Sequence, residues 1–189
     1  MRKIALIVVV IGAAVAVSHV GLGAQAPARG AAPARPAAAA SRVHGDLNQL
    51  MRGVIYPASN VVFAAQEDPS AIKPADDPAT SPNPLTSVYG GWTAVENAGI
   101  TLAESANLMM LPGRVCSNGK PEPMRNADWA LFVQELRDSG MAVYKAAQSK
   151  NQDMVLEAVD KMTVSCSNCH DVYREKTTAQ GGLAARCTK

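Results

Sequence analysis

Aromatic side chains are scarce in this chain. Two Trp, four Tyr and two Phe make up only 4% of its 189 residues, leaving two tryptophans as the largest space-filling groups. An excess of charge of one sign is also lacking. Eighteen basic residues face 16 acidic ones, a formal +2. Without Arg2 and Lys3 the balance is 16 against 16, and without Arg29, Arg35 and Arg42 as well it is 13 against 16, so the remainder carries −3. No basic stripe with interleaved aromatics exists, which argues against nucleic acid as a partner. Histidine and cysteine are few, at three and four residues. No second C-x-x-C and no H-x₃₋₅-H is available to complete a structural zinc site. Convincing strand patterns are absent too, so a thioredoxin-like C-x-x-C beside a βαβ unit finds no support.

What is present is concentrated in Cys166-Ser167-Asn168-Cys169-His170, followed by Asp171-Val172-Tyr173-Arg174. C-x-x-C-H is the attachment sequence for c-type haem. Two thiols must reach the two vinyl groups on one edge of the porphyrin, and an imidazole must reach the iron from the same side. On a helix, positions i, i+3 and i+4 share one face. One segment thus supplies both covalent anchors (Cys166, Cys169) and an axial iron ligand (His170), and the expected cofactor is one covalent haem c. No acid/base pair or nucleophile arrangement accompanies the motif, so enzymatic activity is not expected.

Haem attachment to thiols takes place outside the cytoplasm, which makes export a condition of the reading. The N-terminus meets it. A basic start, an apolar run over residues 4–17 and small residues over 21–28 form the three-part layout of a secretory signal peptide. The run falls short of the roughly 20 residues of a membrane span, which disfavours an uncleaved anchor. The expected signal is 1–26, with cuts after Gly23 or Ala28 as alternatives, and the expected location is the periplasm with no membrane span after cleavage. Residues 27–42 are almost all Ala, Pro, Arg and Gly and read as a disordered tether.

The remainder predicts an all-α fold. Over 43–66, Leu47, Leu50, Met51, Val54, Ala58, Val61 and Ala65 recur at helical steps, with Pro57 predicting a kink or a split at Tyr56. Five prolines between residues 67 and 84 mark a long loop. The second helix is expected over 87–110 with Val88, Trp92, Val95, Gly99, Leu102, Ala106 and Met109 inward, ended by Leu111-Pro112-Gly113. The third is capped by Asn126 or Asp128 and runs to about 149, and the fourth covers about 153–176. Trp92 and Trp129 read as packing residues. Together, 43–177 predict an antiparallel up-down four-helix bundle with the haem on its C-terminal helix, followed by a tail over 178–189. In that topology the link between helices two and three and the end of helix four share one end. Cys116 and Cys187 lie there, and in an oxidising compartment they are expected to pair.

Taken together, a C-terminal haem motif on the last of four helices, with Tyr173-Arg174 behind it, resembles the cytochrome c prime family (class II c-type cytochromes). The resemblance covers 43–176, and its specific part is 166–174. It implies His170 as proximal iron ligand, Arg174 beside it one turn on, and Tyr173 packing at the haem edge. It also implies that the first helix lines the distal face. Leu50-Met51-Arg52 resembles the pattern of low-spin members, in which a methionine ligates the iron, whereas high-spin members leave the iron five-coordinate. His44 is a further candidate ligand. Pro57 and the long loop after it depart from the family. The expected function is electron transfer with redox partner proteins. The alternative is a five-coordinate haem that binds nitric oxide or carbon monoxide as sensor or scavenger. Members of the family often pair through their helices, so a homodimer is a further expectation.

Overall fold

A computed structural model describes residues 42–174 and Cys187. The expected signal peptide, all of the tether but Arg42, and all of the tail but Cys187 lie outside the described residues. Among the described residues there are four helices and no strand, an arrangement compatible with an all-α bundle.

The first helix, α1 (47–64), opens on a capping box. Asp46 Oδ1 accepts from the Gln49 backbone N–H at 2.7 Å, and Gln49 Oε1 accepts from the Asp46 N–H at 2.9 Å. The helix is not split at Tyr56, one of the two outcomes that Pro57 predicts. The chain runs α-helical over Leu47–Leu50, π-helical over Met51–Ile55 and α-helical again over Tyr56–Ala64. In the wider turn the Tyr56 N–H donates to the Met51 carbonyl, five residues back. Pro57 has no N–H to place, and widening the turn ahead of it relieves the ring's clash with the preceding carbonyls.

The second helix, α2 (Trp92–Leu108), starts five residues later than the periodicity predicts. Gly90 and Gly91 are the reason. Gly91 has φ +56°, and a Cβ on Gly90 would lie 2.4 Å from the Leu85 carbonyl oxygen, so residues 87–91 form a turn that only glycines permit. Val88, expected on the inner stripe, is consequently 63% exposed. The proline-rich loop is nonetheless pinned: Leu85 is buried, and the half-buried Trp92 donates its indole N–H to Ser70 Oγ at 2.7 Å.

Helix α3 spans Ala127–Ser149 and α4 spans Gln152–Tyr173, joined by Lys150 in the left-handed region (φ 51°) and by Asn151. Asn151 caps α4 by accepting from the Met154 N–H at 3.1 Å. α4 ends at Tyr173, three residues short of the predicted limit. Helices α2 and α3 pack most closely, because glycine meets glycine. A Cβ on Gly99 would lie 2.6 Å from the Tyr144 backbone N, and one on Gly140 would lie 2.6 Å from that of Ala103. With so few rings available, the backbones themselves fill the space. Val95, Leu102 and Ala106 on α2, Trp129, Val133 and Val143 on α3, and Val155, Val159 and Met162 on α4 form the buried core.

One group of contacts joins the start of α1, the end of α2 and the loop that follows α2. The Leu47 N–H donates to the Val115 carbonyl at 2.9 Å, and the buried Arg114 donates to the carbonyls of Gly45 (2.7 Å) and Leu108 (3.1 Å). Arg114 Nε also lies 3.9 Å from Glu122 Oε2, although neither Glu122 oxygen has a hydrogen bond. Burial pushes the Glu122 carboxyl up to about 7, against the opposing pull of Arg114. Cys116 and Cys187, both buried, are joined by a disulfide with Cα atoms 5.7 Å apart. A second group of contacts joins the end of α1 to the start of α4, where Gln152 Nε2 donates to the carbonyls of Ala65 and Gln66 at 3.1 and 3.0 Å. No helix among the described residues is long and apolar enough to cross a membrane.

Candidate functional site

Cys166, Cys169 and His170 all lie within α4, so the i, i+3, i+4 spacing does place them on one face. That face continues the buried stripe of Val155, Val159, Met162 and Ser165. Over the motif the stripe is no longer sealed: Cys166, Cys169 and His170 are each half-buried, and full burial resumes at Tyr173. Neither Cys166 nor Cys169 is disulfide-bonded. Burial raises the Cys166 thiol pKa. It pushes Cys169 up to about 12, helped by the charges of Cys166, Asp128 and Glu135. Both are therefore protonated thiols at neutral pH, and thiols exchange slowly where thiolates react. His170 is shifted downward, first by burial and then by the nearby Arg174 cation, against Asp171. Its imidazole is thereby held neutral, the form that ligates a metal.

The neighbouring helix closes around this turn. Asn168 Nδ2 donates to Glu135 Oε2 at 3.0 Å. The Tyr173 hydroxyl donates to Asp128 Oδ1 at 2.5 Å and accepts from Asn126 Nδ2 at 3.0 Å. Asn126 is thus the N-cap of α3 by position, but its side chain serves Tyr173 instead of the helix. The Tyr173 ring stands edge-on to Trp129, with centroids 5.2 Å apart, and to Phe132 at 6.1 Å. Arg174 is exposed and extended, just past the helix end.

The structure therefore gathers Cys166, Cys169, His170 and Tyr173 at the C-terminal end of α4, with Arg174 directly after it. It does not gather Met51 with them in the same way. Met51 opens the π turn of α1, half-buried against the core, and the close backbone neighbour of that turn is α2. The backbones of α1 and α4 do not pack closely on one another, unlike those of α1 and α2, α2 and α3, or α3 and α4. His44 is exposed and lies ahead of the α1 cap. Among the described residues no three His, Cys, Asp or Glu side chains gather to hold a bare metal ion.

Asp128 and Glu135 belong to this site and carry no motif of their own. Their helix spacing put them on α3, but only the packing of α3 on α4 sets them beside Cys169. No protein family, curated protein or solved structure matches the chain.

The chain's residues fit a covalently held porphyrin. Two unpaired, inward-facing thiols one turn apart, a neutral imidazole at the next position and a half-open apolar face are what such a group requires.

Proposed function

We propose that the protein is an exported, periplasmic c-type cytochrome of the cytochrome c prime kind, an up-down four-helix bundle carrying one haem c. The observation that carries this reading is the division of its cysteines. Cys116 and Cys187 are bonded and buried, whereas Cys166 and Cys169 are left as paired free thiols beside His170. When bound, the haem supplies one-electron chemistry at iron. Cys166 and Cys169 hold it through thioether bonds, and His170 offers a ring nitrogen to the iron. Tyr173, locked by Asn126 and Asp128, fixes the end of the helix that bears them. Arg174 keeps a positive charge at the His170 side.

The function favoured is electron transfer to and from partner proteins, with Met51 as second axial ligand and no enzymatic step. Its support is the position of Met51: half-buried on a π turn, a feature frequent at functional sites, in a helix whose backbone does not pack closely on α4. The same separation supports the second reading, in which the iron remains five-coordinate and takes up nitric oxide or carbon monoxide. Optical spectra of the ferric and ferrous protein, before and after carbon monoxide, decide between them. Electron transfer predicts low-spin spectra unchanged by the gas, and conversion of Met51→Leu to a high-spin, gas-binding form. A high-spin spectrum with an immediate shift in the unmodified protein supports gas binding instead.

A further inference from the structure

The segment between α2 and α3 closes on itself and on the start of α1. The Glu122 N–H donates to the Arg114 carbonyl at 3.0 Å, and Val115 is bridged to Pro121 between them. Both charged side chains are buried, that of Glu122 completely. Arg114 places its two terminal nitrogens on the carbonyls of Gly45 and Leu108, which ties the start of α1 to the end of α2. Its Nε–H is left without an acceptor, and both Glu122 oxygens without a donor. The two groups stand 3.9 Å apart, too far for a hydrogen bond. Next to Arg114, the Val115 carbonyl accepts from the N–H of Leu47. Leu47 is the first residue of α1, so its N–H has no acceptor within its own helix.

A buried carboxyl without donors is tolerable only while it keeps its proton. Once ionised it must gain donors. Drawing the Arg114 Nε–H about 1 Å closer pulls the guanidinium away from the carbonyls it holds, and the other route leads outward to water. Either route undoes the ties on α1. We propose that residues 114–122 form a pH-sensitive latch on the start of α1, held shut by protonated Glu122 and loosened when that carboxyl ionises. The Cys116–Cys187 bridge keeps the loosened segment tethered, so its opening is local and reversible. The turn it frees carries the buried Leu47 and Leu50 and leads directly into the π turn that Met51 opens. Among the described residues Arg114 is the charge that acts on Glu122. The other titratable or charged groups on these elements are His44 and Asp46 before α1, Glu104 near the end of α2, Lys120 within the segment, and Arg125 and Asp128 around the start of α3. All are exposed except the half-buried Asp46 and Asp128. The latch does not depend on the haem reading above.

The test is amide hydrogen exchange in the intact, ¹⁵N-labelled protein with its disulfide formed, across the acid-to-neutral range and corrected for base catalysis of exchange itself. The Leu47 N–H is the reporter, and that of Val143, buried within α3, is the reference. Glu122 holds its proton up to about 7 in the closed segment and up to 4.5 once freed. Protection of Leu47 should therefore fall about 300-fold between those two values and level off above the higher one. The opening should be insensitive to low urea, unlike exchange of Val143, because it exposes little surface. Glu122→Gln, a neutral side chain of nearly the same shape, should flatten the profile. A Leu47 profile that is flat or rises with pH in the unmodified protein overturns the proposal, since ionised Glu122 would then tighten its pair with Arg114. So does an equal urea dependence for Leu47 and Val143, which confines Glu122 to global stability. Both readings come from the unmodified protein, so they stand even if Glu122→Gln does not fold.

Discussion

The two cysteine pairs of this chain have the same atoms and opposite environments. Cys116 and Cys187 are 71 residues apart in sequence, buried, and bonded. Cys166 and Cys169 are one helical turn apart, half-buried, and unbonded. The distant pair closes a long loop that contains α3 and α4, so its effect is on the entropy of the unfolded chain. The near pair closes almost nothing and constrains no other helix. Burial and the carboxylates of Asp128 and Glu135 keep its Cys169 thiol protonated. One pair is placed to hold the fold; on the reading proposed above, the other holds the haem.

The comparison can be broken most directly at the near pair. Replacing both Cys166 and Cys169 by Ser should abolish covalent haem completely while leaving a helical protein, as circular dichroism and haem staining after denaturing electrophoresis would show. A variant that still retains haem covalently would remove the basis for the distinction. The reverse experiment is Cys116→Ala with Cys187→Ala. It should cost about 4 kcal/mol in chemical denaturation, on the chain-entropy account of the 71-residue separation, yet leave haem attached.

The same end of the molecule holds Glu122, and pH sharpens the comparison there. Its folded-state pKa, about 7, lies above the ordinary value of 4.5, so the folded protein binds the proton more tightly than the unfolded chain. Stability from this group is therefore full below pH 4.5 and is lost as pH rises through 7. The loss should reach roughly 3 kcal/mol by pH 8 and be absent in Glu122→Gln, measured as denaturation midpoints against pH. An identical pH profile in that variant would assign the effect elsewhere. The smallest effect is expected at the near pair's helix: Asn151→Ala removes the cap of α4 and should cost about 1 kcal/mol without changing haem content.

How far the sequence reaches can be judged residue by residue. Val133, Leu136, Gly140, Val143 and Ala147 repeat at helical spacing and are all buried, because periodicity reports directly which face packs. The motif was legible for the same reason: its chemistry requires one helix face, and one helix contains it. Val88 misled, since it matches the stripe of α2 while Gly90 and Gly91 hold it in a turn outside the helix. Pro57 announced a disturbed hydrogen bond but not its remedy, because a kink, a split and a π turn satisfy the same local rule. Arg114 and Glu122 lie between α2 and α3 and belong to no motif. Their burial follows from which carbonyls happen to converge on Arg114, and composition carries no trace of that. Asp128 and Glu135 became part of the site, and Trp129 an unmatched donor, only through the packing of α3 on α4.

The account stands most directly on covalent attachment of haem to the near pair. The measurement is the pyridine haemochrome spectrum and intact mass of the protein after denaturation and extraction with acidified solvent. We predict one haem per chain retained through two thioether bonds, with the Cys116–Cys187 bridge unaffected. Release of all haem into the solvent, with Cys166 and Cys169 recovered as free thiols, would contradict it.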